Sequence, residues 1–283
     1  MSLVPAIDLV RLADEHSTAV MCFNTIDYNM VKAVINAAEK RKVPALVQLL
    51  PEHSFVNKVM DLRSYYSMVK EMCDQTDAKV GVHLDHCYDE DEIKYAIDAG
   101  FSSVMFDASR DPLDRNIERT RKVVEYAHER GVAVESELGA VGRASENANE
   151  KEDLFTKPET VKKFVDATHV DSLAIAIGNA HGDYPFPPKL DIDRLMEINE
   201  ITNVPLVLHG GSGIPDDQLE LAFSRGINKF NFGTNFMRCY EKAIREYFSS
   251  KNPKDVNVIE FPLYVQNVMT EFIYDRLSLS KFD

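Results

Sequence analysis

Eight short apolar runs alternate with eight helical patterns along the chain, and this alternation restricts the folds open to it. The runs are AVMCF at 19–23, ALVQLL at 45–50, VGVHL at 80–84, SVMF at 103–106, VAVES at 132–136, SLAIAI at 172–177, PLVLH at 205–209 and KFNF at 229–232. Runs this short and this continuously apolar suit strands buried on both faces of a parallel sheet. Between and after them lie helical patterns at 28–41, 62–74, 89–99, 113–130, 158–168, 192–200, 215–224 and 236–248. Gly100, Gly131 and Gly226 each close a helical pattern just before an apolar run, the place for a left-handed C-terminal cap. Parallel strands joined through helices take right-handed crossovers, and a count of eight predicts closure into a (β/α)8 TIM barrel. An extra N-terminal helix at 5–16 and a C-terminal helical extension at 263–277 fall outside the repeat. A barrel of this kind needs about 250 residues, so a single domain over 1–283 is expected. No GxGxxG follows the first strand, where the chain reads FNTIDYN, which argues against a doubly wound dinucleotide fold. The polar stretch RASENANEKED at 143–153 reads as a mobile loop.

Partners and compartment follow from charge and cysteine. With 46 acidic against 32 basic side chains the net charge is −14, which argues against nucleic acid or an anionic membrane as partner. No apolar stretch approaches the roughly 20 residues of a membrane-spanning helix. Cys22, Cys73, Cys87 and Cys239 are widely separated and form no CxxC pair, so neither a disulfide framework nor a cysteine metal site is expected. A reducing, cytoplasmic location fits best.

Chemistry collects at the strand ends. His86, His181 and His209 follow the third, sixth and seventh runs, and sites in such barrels sit at the C-terminal ends of the strands. Three imidazoles converging with one open position is the arrangement of a catalytic zinc. Asp85, beside His86 in HLDH, is either an orienter of that ligand or a proton-transfer base, and His83 on the same strand is placed to orient it. The remaining histidines, His16, His53, His128 and His169, read as solvated or structural. GNAHG at 178–182, HGGSG at 209–213 and NFGTN at 231–235 offer unobstructed backbone N–H groups in the loops that commonly cradle phosphate in this fold. A Lewis acid, a carboxylate and a phosphate nest suit chemistry next to a carbonyl on a sugar phosphate. Aldol cleavage, isomerisation and metal-assisted hydrolysis all stay open on these residues alone.

The segments VGVHLDHCYDEDEIKYAIDAGFSSVMFDAS, VESELGAVG, DSLAIAIGNAHGDY and PKLDIDRLMEINEITNVPLVLHGGSGIPDDQL resemble the class II, metal-dependent ketose-bisphosphate aldolases, which act on fructose or tagatose 1,6-bisphosphate. The matching segments run in order from about residue 80 to 235, with the tagatose-bisphosphate branch the nearest in pattern. The resemblance implies that His86, His181 and His209 hold a catalytic Zn2+ ion, and that Asp85 takes the C4 hydroxyl proton during cleavage. It assigns Glu137 and Asp107 to an alternative metal position. Gly182, Gly210, Ser212, Asn231 and Thr234 match the site for dihydroxyacetone phosphate, where the family often also holds a monovalent cation. Asn24 matches a substrate-side asparagine. A homodimer or homotetramer is implied as well.

Three departures set this chain apart from that pattern. Ala144 and Ser145 stand where the loop after ELG usually carries acidic residues, with Glu146 as the nearest substitute. Ser54 is the nearest hydroxyl after the second strand. Asn257 occupies the place of an arginine that grips the distal phosphate, often across to a partner subunit. Asparagine cannot supply a charge-assisted, bidentate phosphate contact. The expected activity is therefore aldol cleavage of a ketose phosphate, either a ketose 1-phosphate or another modified sugar, to dihydroxyacetone phosphate and an aldehyde. The alternatives are a fructose or tagatose 1,6-bisphosphate aldolase proper and a non-catalytic sugar-phosphate-binding subunit.

Overall fold

A computed structural model describes residues 3–146 and 151–282. Eight parallel strands close in chain order into a barrel: β1 Val20–Asn24, β2 Ala45–Leu49, β3 Val80–Cys87, β4 Ser103–Phe106, β5 Ala133–Leu138, β6 Ser172–Ile175, β7 Leu206–Leu208 and β8 Ile227–Phe232, with β8 pairing back to β1. Each is buried along its whole length, as its apolar run requires. The connecting helices are α2 Tyr28–Arg41, α3 Leu62–Cys73, α4 Glu90–Ala99, α5 Leu113–His128, α6 Pro158–Thr168, α7 Ile192–Ile201, α8 Asp216–Ser224 and α9 Thr234–Ser249. Asp27, Asp61, Asp89 and Asp191 cap the N-termini of α2, α3, α4 and α7 by accepting backbone N–H bonds. Gly100, Gly131 and Gly226 all take positive φ where helix turns into strand. Of the stretch read as a mobile loop, residues 147–150 lie outside the described residues, while short 3-10 turns form at Ala144–Glu146 and Glu152–Leu154.

The two extra helices have separate tasks. α1, Ala6–Glu15, buries Ala6, Leu9, Val10 and Ala13 against Val20, Cys22 and Leu46, closing the end of the barrel at which the strands start. Gly81 makes this contact possible: a Cβ there would lie 2.6 Å from Leu46 Cδ2 and 2.9 Å from the Ala6 Cα. α10, Glu260–Arg276, lies on α2 and α9, burying Val265, Met269 and Ile273. Arg41 stacks on the Tyr274 ring at 4.8 Å and donates to its carbonyl at 3.1 Å. The C-terminal segment thus docks on its own barrel.

The third strand departs from the expected end at residue 84. β3 runs on to Cys87, and its register against β4 passes from Leu84 opposite Val104 to Cys87 opposite Phe106. Three residue steps on β3 face two on β4, so one residue is extra. His86 absorbs it with φ +33°, a conformation rare for a residue with a side chain.

Candidate active site

The bulge decides what the site contains. Strict alternation would send Asp85 and His86 to opposite faces of the sheet, yet both line one cavity of about 220 Å³ together with His181, Gly182, His209, Gly210, Ser212, Asn231, Thr234 and Asn24. Asn24 ends β1, Asn231 lies in β8, His209 and Gly210 follow β7, and Thr234 opens α9. Every expected residue except Asp107 and Glu137 therefore lines a single pocket.

The imidazoles form a compact group: their ring centres lie 4.8 Å apart for His86 and His181, 4.5 Å for His86 and His209, and 6.1 Å for His181 and His209. His86 donates from Nδ1 to Asp107 Oδ2 at 3.0 Å, and His209 donates from Nε2 to Glu135 Oε1 at 2.8 Å. These carboxylates fix both tautomers. The remaining nitrogens, His86 Nε2 and His209 Nδ1, face each other at 2.8 Å. Two lone pairs so directed repel unless a proton or a metal cation lies between them. Burial pulls the His86 pKa down, but the Asp85 charge and the Asp107 hydrogen bond outweigh it and raise the group to about 9. Burial, and then the positive charge on His86, lower His181 to about 3 and His209 well below the usual range. The three imidazoles thus carry one positive charge between them, a single proton beyond their neutral forms. A divalent cation suits the same donors, whose candidate ligand atoms all lie within 4.8 Å of one another.

Asp107 and Glu137 form a second group with His86, also within 4.8 Å. Burial and the Asp107 charge raise Glu137 to about 8, and its Oε2 has no partner among the described residues. His86 is common to both groups.

Asp85 is clamped by amides. Asn24 Nδ2 and Gln48 Nε2 donate to its Oδ2 at 2.8 and 3.0 Å, and Asn231 Nδ2 donates to its Oδ1 at 2.9 Å. His83, expected to orient Asp85, instead bonds Ser103 Oγ at 2.8 Å and lies 3.8 Å from Glu135. Gln48, Glu135 and Lys229 were missed by sequence reasoning. The signal that marks them is polar residues at alternate positions in otherwise apolar strands, which is the inward face of a barrel.

Opposite Asp85 lies a cradle of backbone. Gly182 holds φ +88° with open space where a side chain would stand. Gly210 holds φ +65°, and a Cβ there would run into the Ala180 carbonyl. Ser212 Oγ accepts from the Asn235 N–H at 3.1 Å, tying the loop after β7 to the first turn of α9. A helix N-terminus and glycine amides together attract an anion.

The departures are placed as follows. Asn257 is exposed, and its Oδ1 accepts from Ile259 and Glu260 N–H at 2.8 and 3.3 Å, starting α10 and standing outside the pocket lining. Ala144 is buried, its N–H bonded to the His181 carbonyl at 2.9 Å. Glu146 is exposed and lines an adjoining groove that also reaches His86 and His181. Ser54 is buried in the π-helical turn Glu52–Val56, whose His53, read as structural, lines the pocket together with Leu50.

The sequence matches the family Fructose-bisphosphate aldolase class-II over residues 4–281. It is 37% identical over 262 residues to a fructose-bisphosphate aldolase of Geobacillus stearothermophilus, covering 92% of this chain and 89% of that protein. It is 38% identical over 253 residues to a 6-phospho-5-dehydro-2-deoxy-D-gluconate aldolase of Shouchella clausii, covering 89% and 85%. The crystal structure of the YdjI aldolase from Escherichia coli K12 superposes with a TM-score of 0.87 at 30% identity, over 99% of this chain and 98% of that one. The chain belongs to the class II fructose-bisphosphate aldolase family and is an aldolase, a carbon–carbon lyase.

Proposed function

We propose that this barrel is the single catalytic domain of a zinc-dependent aldolase that cleaves a ketose 1-phosphate, releasing dihydroxyacetone phosphate and an aldehyde without a phosphate of its own. The observation that carries this reading is the pocket lining. It offers one phosphate cradle and no Lys or Arg in its own lining, while Arg110, Arg143 and Lys151 line the adjoining groove.

The 1-phosphate sits against Gly182, Gly210, Ser212 and the first turn of α9, where Thr234 adds a hydroxyl. His86, His181 and His209 would hold the metal, which supplies Lewis-acid polarisation of the ketose carbonyl when bound. Asp85, aimed by Asn24, Gln48 and Asn231, takes the proton from the C4 hydroxyl. The C3–C4 bond then breaks, C4 becomes the aldehyde carbonyl, and the electron pair stays on the three-carbon fragment. A proton from water adds at C3 to complete dihydroxyacetone phosphate, and Asp85 returns the proton it took to solvent, so the protons balance. His53 and Leu50 face the departing aldehyde. Asp107 and Glu137 supply the alternative metal position, and a monovalent cation near the phosphate belongs to the same reading, as does a homodimer or homotetramer. No helix among the described residues is long and apolar enough to cross a membrane, and four unpaired cysteines support a reducing cytoplasm.

The test is a substrate panel assayed for dihydroxyacetone phosphate. Ketose 1-phosphates are expected to exceed fructose and tagatose 1,6-bisphosphate in kcat/KM by at least tenfold. A preference for either bisphosphate overturns the proposal and points to a cation of the adjoining groove or of a partner subunit as the second phosphate's grip.

A further inference from the structure

Below the pocket, inside the barrel, Lys229 is 1% exposed and carries no role in the chemistry described above. Its ammonium reaches in two directions. It lies 3.0 Å from Glu135 Oε2 and 3.3 Å from Oε1, and it donates to Asn231 Oδ1 at 2.7 Å. Glu135 in turn accepts from His209, and Asn231 in turn donates to Asp85. We infer that Lys229 is a positioning residue that sets, from one buried charge, both the orientation of the general base and the tautomer of a metal ligand. The inference rests on the roles of Asp85 and His209 proposed above.

The chemistry of the groups enforces both orientations. An ammonium has donors only, so the Asn231 side chain must turn its oxygen toward Lys229 and its NH2 toward Asp85. Without the ammonium, the Asp85 carboxylate still calls for the NH2 end, but Asn231 Oδ1 loses its 2.7 Å cationic partner, so the amide is pinned at one end instead of two. On the other arm, Lys229 lies 3.0 Å from Glu135 Oε2 and so holds the carboxylate whose Oε1 accepts from His209 Nε2 at 2.8 Å. Without the ammonium, Glu135 loses the contact that aims Oε1 at His209 Nε2, and with it the hydrogen bond that reserves Nδ1 as the ligand nitrogen. Burial lowers the Lys229 pKa, but the Glu135 charge more than compensates and raises it overall, so the ammonium stays charged. The two arms meet again at the pocket, where Asp85 Oδ1 lies 3.9 Å from His209 Nδ1.

The arms separate by substitution. Lys229→Met alone strands a buried carboxylate and risks misfolding, so the informative pair is Glu135→Gln and the charge-neutral double variant Lys229→Met/Glu135→Gln. Glu135→Gln breaks the ligand arm and is expected to weaken Zn2+ binding 10–100-fold in a chelator competition. It should also alter the visible absorption of the Co2+-substituted protein. Adding Lys229→Met then severs the base arm. At saturating Zn2+, kcat per bound metal should drop at least another tenfold while KM stays within threefold. A loss of fold lowers the amount of active enzyme but does not move kcat per metal-loaded site. Equal metal-saturated kcat for the single and double variants overturns the inference. Asp85→Asn is the control: if it retains full turnover, the reading of the base itself fails; if it abolishes turnover while the double variant matches the single one, only the role of Lys229 fails.

Discussion

Both oxygens of Asp85 are held by amide N–H groups from three strands, β1, β2 and β8, so the carboxylate meets its substrate already oriented. Preorganisation of this kind lets a general base contribute about 10²–10⁴ in rate. Asp85→Asn keeps the shape but cannot accept the proton. Its kcat is expected to fall at least 10²-fold with Zn2+ content unchanged, measured by single-turnover cleavage alongside metal analysis. A variant that loses metal in proportion to activity would make Asp85 a ligand orienter instead. The convergence of His86, His181 and His209 was legible from their places at strand ends, since the fold gathers those ends around one axis. Lys229 and Glu135 were not, because a charged residue inside an apolar run reads equally well as an outward position until the strand's facing is known. Asn257, read as the lost distal-phosphate grip, is found starting α10 through its Oδ1.

The elements that matched best are those set off by strong local signals. β4 is found at the four residues of its run, and α2 and α6 run exactly as their apolar spacing predicts. β3 ran past expectation because a bulge depends on the neighbouring strand, which no local pattern reports. α1 shows how a helix outside the repeat stabilises it: Ala6 reaches the barrel because Gly81 offers no Cβ. Gly81→Ala forces Leu46 or α1 to shift, at a cost of about 1–3 kcal/mol for overpacking. The expected result is a Tm several degrees lower with kcat/KM unchanged, because α1 closes the end of the barrel away from the pocket. A drop in kcat/KM matching the loss of stability would show instead that the closed end and the pocket move together.

For the molecule as a whole, the buried histidines make stability a function of pH. His181, lowered to about 3, stays neutral in the folded protein while its unfolded counterpart takes up a proton below about 6.5. Stability therefore falls as pH drops below 6.5, and His83 and His209 act in the same direction. His86, raised to about 9, contributes stability that is fully present below 6.5 and lost as pH rises through 9. Glu137, raised to about 8, holds its proton in the folded state and likewise loses its contribution as pH rises from about 4.5 to 8. The Tm of metal-stripped protein should thus peak near pH 6.5 and decline on both sides. Added Zn2+ should raise Tm more at pH 8 than at pH 6, since protons compete for the same nitrogens. A Tm of the stripped protein that climbs steadily to pH 9 would exclude this balance.

The extra residue in β3 has a further consequence. Removing one residue at that point would restore an even ladder to β4 and relieve the positive φ of His86, and it would also send either the carboxylate or the imidazole out of the pocket. Selection for a sturdier barrel and selection for turnover therefore pull in opposite directions at a single codon. The irregular strand gives up an even ladder to bring a carboxylate and an imidazole into one pocket.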